Sequence, residues 1–162
     1  MPKFYPLKVK DLYKDTEQCS VIEFDMPEDL KDKFKYKAGQ YLTLRETING
    51  EDIRRSYSLC SSPIDNEWKV AVKEIPDGKF STHVNQFLKK DDTLQVMKPM
   101  GRFGTAISEI PKNYIVFTAG SGITPILSMI KTHLAKEPNS TFKLFYLNRT
   151  VKSIIFKEEI EQ

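Results

Sequence analysis

Cysteine is scarce in this chain: two residues of 162, Cys19 and Cys60. Two thiols cannot build a four-cysteine zinc site or hold an iron–sulfur cluster on four thiolates, so no iron–sulfur cluster is expected in this chain. With no signal-peptide pattern, both cysteines are expected to be reduced and the protein cytoplasmic. The longest apolar runs fall far short of a bilayer span, so no membrane partner is expected. A charge excess is missing too, because 25 Lys and Arg stand against 22 Asp and Glu, a net +3. A polyanion-binding surface normally shows a larger, clustered basic excess, which argues against nucleic acid as a partner. No internal repeat or low-complexity tract is present, and nothing in the sequence sets the oligomeric state.

What remains is enough for a core. Hydrophobic residues make up 40% of the chain and aromatics 11%. Such a composition folds rather than staying disordered, and the length suits one full domain or a little more.

The first two-thirds reads as short strands separated by turn residues, over about 4–13, 21–25, 40–47, 52–60, 68–75 and 93–97. Alternation is visible in Leu7 and Val9, and in Trp68, Val70 and Val72 against Lys69, Ala71 and Lys73. Asn49-Gly50 predicts a two-residue hairpin turn, since both positions tolerate positive φ. Strands of this kind pack as a small closed barrel or a sandwich. One helix interrupts them: Ser81 reads as its N-cap, and Val84, Phe87 and Leu88 form one apolar stripe.

The pattern changes between Phe103 and Pro111, where the domain boundary is expected, giving units 1–105 and 106–162. Residues 114–118 form a continuous apolar run, the mark of a strand covered on both faces. A glycine-rich turn follows, with Thr124 as the expected N-cap and Pro125 at the first helical position. Ile126, Met129, Ile130, His133 and Leu134 line one helical face. A second apolar strand over 142–147 and the start of a helix over 153–162 complete β-loop-α-β-α, the opening of a parallel nucleotide-binding sheet.

Three segments carry chemistry. In the first, residues 54–63, Arg55 and Tyr57 share one strand face. Arg55 offers a planar, always-charged phosphate donor. Tyr57 offers a platform for a flat ring system, and Ser58 a small donor near a ring edge. The second is Gly78-Lys79-Phe80-Ser81-Thr82, a glycine at a helix N-terminus, where free N–H groups and the positive helix end suit an anion. The third, Gly120-Ser121-Gly122-Ile123-Thr124-Pro125, is not a full three-glycine fingerprint, since Pro125 stands where the third glycine would fall. Its place between an apolar strand and an amphipathic helix suits a pyrophosphate. Each has a plainer reading as well: a polar hairpin strand, a capped helix, a strand-to-helix turn.

Together and in this order, these segments resemble the ferredoxin–NADP reductase family of flavoproteins. Arg55-Ser56-Tyr57-Ser58 resembles that family's Arg-x-Tyr-Ser flavin motif, and residues 78–82 its second flavin motif. Gly101-Arg102-Phe103-Gly104 resembles the loop closing its flavin domain, and residues 120–125 its nicotinamide-dinucleotide loop. The resemblance implies a β plus α/β fold, a six-stranded antiparallel Greek-key FAD-binding barrel followed by a partial parallel-sheet nucleotide-binding domain. By the same resemblance, Arg55 would pair with an FAD phosphate and Tyr57 would stack on the isoalloxazine. Ser58 would hydrogen-bond the flavin N5 region, which makes Tyr57 and Ser58 the expected catalytic residues. Lys79, Phe80, Ser81 and Thr82, starting at Gly78, would line the pyrophosphate and ribityl side. Val72 and Lys73 would pass close to the flavin or adenosine portion. Gly120, Gly122 and Thr124 would hold NADH or NADPH.

The activity so implied is that of an NAD(P)H-dependent flavin oxidoreductase. It would pass electrons from NAD(P)H through FAD to an iron–sulfur protein or oxygenase component, as in reductases of aromatic (phenylacetate-type) degradation. The alternative is an FAD-binding module without NAD(P)H turnover. Reductases of this family continue through more strands, so the chain is expected to be a fragment or to be completed by another chain. Of the remaining reactive residues, Cys60 is expected as a buried thiol, His133 as a core histidine, Trp68 as core, and Cys19 as structural or exposed. His83 and Arg149 are left open between a cofactor contact and a structural role.

Overall fold

The computed structural model describes residues 3–161. Six strands make an antiparallel sheet in the order β4-β3-β6-β1-β2-β5. They are β1 (Phe4–Thr16), β2 (Cys19–Asp25), β3 (Tyr41–Ile48), β4 (Glu51–Ser58), β5 (Lys69–Lys73) and β6 (Thr93–Met97). The two edges, β4 and β5, meet through a bridge between Leu59 and Val70, which closes the sheet into a barrel. Closure removes the open edges that would otherwise invite pairing with other chains. Asn49 and Gly50 take positive φ at the hairpin between β3 and β4, as the dipeptide predicts. A one-turn helix, α1 (Glu28–Lys31), was not legible in the sequence, being too short to show periodicity.

Alternation fills the barrel. Leu7 and Val9 of β1, Ile22 and Phe24 of β2, Leu42 and Leu44 of β3, Val70 and Val72 of β5, and Leu94 and Val96 of β6 point into one core. Trp68 joins that core as expected, donating its indole N–H to the Phe34 carbonyl at 2.8 Å. Helix α2 (Lys79–Gln86) lies across the barrel through Phe80, Val84 and the buried Asn85. The Asn85 amide donates to the Val72 carbonyl at 2.9 Å and accepts from Ser20 at 2.9 Å, which ties α2 to β5 and β2.

The remaining residues form a second layer on the outside of β2 and β5. They comprise β7 (Asn113–Ala119), a 3-10 turn (Gly120–Gly122), α3 (Ile123–Lys136), β8 (Thr141–Leu147), a second 3-10 turn (Val151–Ser153) and α4 (Lys157–Ile160). β7 and β8 pair in parallel, in register from Asn113–Thr141 to Ala119–Leu147. Ile123, Ile126, Leu127 and Met129 of α3, with Ile155 and Phe156, pack on Cys19, Val21, Cys60 and Ala71. The barrel wall is thus buried on both sides there.

The two-face coverage expected of residues 114–118 is not found. β7 alternates between half-buried and exposed residues, with Ile115 64% and Phe117 70% exposed. Its inner face meets α3, whereas its outer face has no layer among the described residues. The strand covered on both faces is β2, buried at every position from Cys19 to Phe24. The helix expected over 153–162 is also divided. Ile155 and Phe156 turn inward against α3, and Phe156 adopts a left-handed φ of 60°, its N–H donating to the Asp15 carboxylate at 2.8 Å. Only the turn beyond them is helical, and Gln162 lies outside the described residues.

His133 is the expected core histidine, 1% exposed. It bonds Glu137 at 2.9 Å through Nδ1 and Thr105 at 3.0 Å through Nε2. Glu137 also accepts from the Ser108 N–H at 2.7 Å, the Ser140 hydroxyl at 2.7 Å and the Tyr114 hydroxyl at 3.0 Å. This network pins the connecting segment 105–112 to the end of α3. Burial raises the Glu137 pKa, but the Ser108, Ser140, His133 and Tyr114 hydrogen bonds outweigh it and hold the carboxyl at about 2. A carboxylate whose folded pKa is depressed stabilises the fold above its unfolded value and loses that contribution as pH falls through the folded one. The Glu137 contribution is therefore lost between about pH 4.5 and about pH 2. Glu137→Gln is expected to flatten the fall of thermal midpoint over that window relative to the unchanged chain, as followed by circular dichroism.

Candidate functional site

The seam where β4 approaches β5 opens on one side into a cavity of about 660 Å³. β4 contributes Arg55, Ser56, Tyr57 and Ser58, β5 contributes Ala71 and Lys73, and the segment from Ile75 to Ser81 closes one end. Ser121, Gly122, Thr124 and Pro125 close the other end, from the second layer. The three segments singled out in the sequence are therefore brought to one place. Between Arg55 and Gly122 lie 66 residues of chain, so only the tertiary fold makes them neighbours.

β4 positions its side chains by register. Arg55 pairs with Leu44 and Tyr57 with Leu42, so both stand on the core-facing side of the hairpin, toward its open end. Tyr57 rests half-buried against the barrel core, its ring centroid 5.9 Å from that of Phe80. Burial pushes its phenol up to about 12, against the opposing pull of Arg55. The ring is a neutral, apolar wall at ordinary pH, suited to stacking. Arg54 is ion-paired to Asp52 at 2.7 Å, whereas Arg55 has no carboxylate partner among the described residues and donates only to the Arg54 carbonyl. A guanidinium left free on a cavity wall suits a phosphate or another anion.

The helix α2 start is built differently from its expected form. Its N-cap is Gly78, with no side chain capping the first turn, so its first N–H groups remain available toward the cavity. Ser81 is the third helical residue. Its hydroxyl donates to the Gly78 carbonyl at 3.1 Å and accepts the Ile75 N–H at 3.3 Å, bracing the turn. A Cβ on Gly78 would collide with the Ser81 hydroxyl and the Ile75 side chain, so the turn closes tightly only on glycine. The Lys79 ammonium is held by Glu51 at 2.6 Å. Lys79 thus offers the cavity its backbone more than its charge.

The glycine turn before α3 also starts its helix earlier than expected. A 3-10 turn over Gly120–Gly122 runs directly into α3, so Gly122 is the N-cap and Thr124 the second helical residue. Thr124 is buried, and its hydroxyl donates to the Ser121 carbonyl at 3.0 Å. Pro125 is the third helical residue and not the first as expected, and it is tolerated there because first-turn N–H groups have no intrahelical acceptor. Tyr146 of β8 braces the same turn, donating to the Gly120 carbonyl at 2.8 Å.

A second cavity of about 1110 Å³ shares Lys73, the 75–77 segment and Ser121 with the first. It is lined further by Thr82, Gly120, Arg149 and Lys152. Lys73 stands where the two meet, its ammonium 3.8 Å from where a Cβ on Gly120 would lie. Of the residues expected to bind a cofactor, Gly120 and Thr82 line this second cavity, and Val72 lines neither, its side chain being fully buried in the barrel core. Arg149 falls on a cavity wall, whereas His83 stacks against Phe87 and lines neither cavity. Residues 75–77 were missed by sequence reasoning, and Ser121, inside the third motif, was given no role of its own. Their only signal was adjacency to the glycine turns.

The cysteines do not take part in this geometry. Both are buried and free, and burial raises both thiols, Cys19 to about 12. Cys60 is satisfied locally, its thiol donating to the Lys69 carbonyl at 3.3 Å. Thiols raised in this way are inert as nucleophiles at neutral pH.

The cavity walls fit a flavin dinucleotide: an aromatic platform, an arginine with no carboxylate partner among the described residues, an uncapped helix start and a second glycine turn across the gap. Comparison with known proteins agrees. Residues 6–104 match the oxidoreductase FAD-binding domain and residues 116–162 the oxidoreductase NAD-binding domain. The chain is 39% identical over 161 residues to a component of the 1,2-phenylacetyl-CoA epoxidase of Escherichia coli (strain K12), covering 99% of this chain and 45% of that protein. It superposes on phthalate dioxygenase reductase, a modular structure for electron transfer from pyridine nucleotides to [2Fe-2S], with a TM-score of 0.79 and 27% identity over 98% of this chain and 48% of that one. Its fold is also that of a ferredoxin NADP+ reductase from Neisseria gonorrhoeae, with a TM-score of 0.84 and 22% identity over 99% of this chain and 64% of that one. The chain spans about half the length of the curated relatives it matches. With its barrel, its paired glycine turns and the match over residues 6–104, the chain belongs to the oxidoreductase FAD-binding domain family.

Proposed function

We propose that the chain is the flavin-binding and nucleotide-entry part of a reductase that draws electrons from NAD(P)H and delivers them to an iron–sulfur protein or oxygenase component. The observation that carries this reading is the convergence of β4, the α2 start and the Gly120–Gly122 turn on one cavity. A bound flavin would supply the hydride acceptor and the one-electron donor chemistry, which protein side chains do not offer. The protein's part is positional. Arg55 holds phosphate, Tyr57 presents a flat apolar face, Ser58 places a short donor at the platform's end, and the uncapped N–H groups of α2 cradle the pyrophosphate. Gly120, Gly122 and Thr124 bring the nicotinamide nucleotide from the opposite side, with Lys73 supplying positive charge between the two cavities.

The first relatives support oxygenase-type electron acceptors, and the likeness to the 1,2-phenylacetyl-CoA epoxidase component points to aromatic-acid breakdown. Among the described residues, no helix is long and apolar enough to cross a membrane. The two buried free cysteines fit a reducing, cytoplasmic setting. A second reading is an FAD-binding module without NAD(P)H turnover, which would keep its flavin and show no reduction by either nucleotide. Stopped-flow reduction of the flavin by NADH and by NADPH separates the two readings.

The purified chain is expected to turn yellow on reconstitution with FAD. Absence of flavin absorbance after reconstitution defeats the proposal. Arg55→Ala is expected to weaken FAD binding about tenfold or more, the loss of one charge-assisted phosphate contact. Fluorescence titration measures it. Gly78→Ala is expected to displace Ser81 and the first turn of α2. That overpacking costs about 1–3 kcal/mol in urea denaturation and weakens FAD uptake in the same variant.

A further inference from the structure

The helix α3 carries a hydroxyl stripe that starts at Thr124 of the nucleotide loop and continues into two residues, Ser128 and Thr132, that the flavin and nucleotide motifs do not account for. Thr124, Ser128 and Thr132 are spaced by four, so they share one face of the helix. All three are buried, at 6%, 0% and 5% exposure. Buried hydroxyls are costly unless bonded, and Ser128 and Thr132 are bonded across the boundary between the two layers. The Ser128 hydroxyl donates to the Ser61 carbonyl at 2.6 Å. Thr132 Oγ1 lies 2.7 Å from Ser62 Oγ and donates to the Ser128 carbonyl at 2.6 Å, so the Ser62 hydroxyl supplies the proton between the two side chains.

The barrel side of this clasp is rigid. The Ser61 hydroxyl lies 2.9 Å from Tyr36 Oη and 2.9 Å from the Glu67 carbonyl, and the Ser62 N–H donates to Asp65 at 3.0 Å. The Leu59 and Cys60 N–H groups are bonded to the Gln40 and Lys69 carbonyls. Ser61 is three residues beyond Ser58, at the platform end of the cavity. Ser128 is one helical turn beyond Thr124, at the glycine-turn end. Both walls of the cavity are therefore within about one turn of the same pair of hydrogen bonds.

We infer that Ser128 and Thr132 are positioning residues: by clasping Ser61 and Ser62 they set the separation and angle between the Tyr57–Ser58 platform and the Gly120–Thr124 turn, and so govern the rate of reduction rather than cofactor affinity. The inference rests on the flavin and nucleotide reading of the cavity. The physical reason is that a transfer between two bound rings depends steeply on their geometry. A displacement of about 1 Å can cost on the order of a hundredfold in rate. Apolar packing alone slides more easily, because it is non-directional, whereas a buried hydroxyl bonded to a backbone carbonyl has one position. Other ties across the boundary, Asp15 to the Phe156 N–H and Lys131 to Asp65, keep the layers docked when the clasp is removed.

The test is the Ser128→Ala, Thr132→Val double variant of the full chain, beside Thr132→Ser, which keeps a hydroxyl. Residual dipolar couplings of backbone amides report the orientation of α3 relative to the barrel with no cofactor present. The inference expects one common orientation in the unchanged chain and in Thr132→Ser, and an altered or averaged α3 orientation in the double variant. With FAD bound, the double variant is expected to keep its FAD dissociation constant and the KM for NAD(P)H, while single-turnover flavin reduction slows about tenfold or more. Unchanged α3 couplings in the double variant overturn the inference, as does a fall in thermal midpoint with an unchanged reduction rate. A chain that takes up no FAD refutes the proposed function instead, and the couplings then decide the clasp by themselves.

Discussion

The arrangement depends on one wall being buried on both sides. β2 and β5 turn Ile22, Phe24, Val70 and Val72 into the barrel, and Cys19, Val21 and Ala71 outward onto α3. Each side removes apolar surface from water, and neither layer is complete without the other. Because α3 can lie against that wall only along its apolar stripe, the glycine turn at its N-terminus is carried to the mouth of the seam between β4 and β5. The cavity follows from this docking and is not built by any single element.

Within that frame, polar groups supply the direction that apolar packing lacks. Asn85 fixes α2 on β5 and β2, and the Glu137 cluster fixes the connecting segment on the end of α3. The hydroxyls of Ser128 and Thr132 fix α3 on the segment leaving β4. Each is a buried polar group with its partners satisfied, the condition under which such groups specify a geometry rather than weaken a core. The cavity groups are set apart by the opposite property. Among the described residues, Arg55 is left without a carboxylate and the start of α2 without a side-chain cap. Fully satisfied groups hold the scaffold, and the unsatisfied ones face the ligand space.

Much of the fold was legible because its signals are local. Short apolar runs between turn residues, alternating in some of them, located the six strands, Asn49-Gly50 located the hairpin, and the two glycine turns marked both helix starts that face the cavity. Errors arose where a local pattern has two possible tertiary causes. The run at 114–118 reads as buried on both faces, yet Ile115 and Phe117 lie outside, because an apolar run records what a strand can bury and not what covers it. Ser81 and Thr124 read as N-caps, yet each sits inside its helix and bonds a turn carbonyl, because a serine or threonine hydroxyl serves either position. Val72 reads as part of a site motif, yet strand alternation sends it into the core between two residues that line the cavity.

By itself the sequence determined the strand and helix periods, the glycine turns, the shortage of thiols and the order of the motifs that places the chain in its family. These are properties of neighbouring residues, set by backbone sterics and side-chain polarity over a few positions. Only the tertiary structure decided that Arg55, Gly78 and Gly122 share one cavity, that Lys73 stands where it meets the next, and that Ser128 and Thr132 clasp Ser61 and Ser62. The clasp and the cavity join parts of the chain that lie far apart in sequence. They exist because two layers bury one wall between them, a long-range packing constraint that no local pattern encodes.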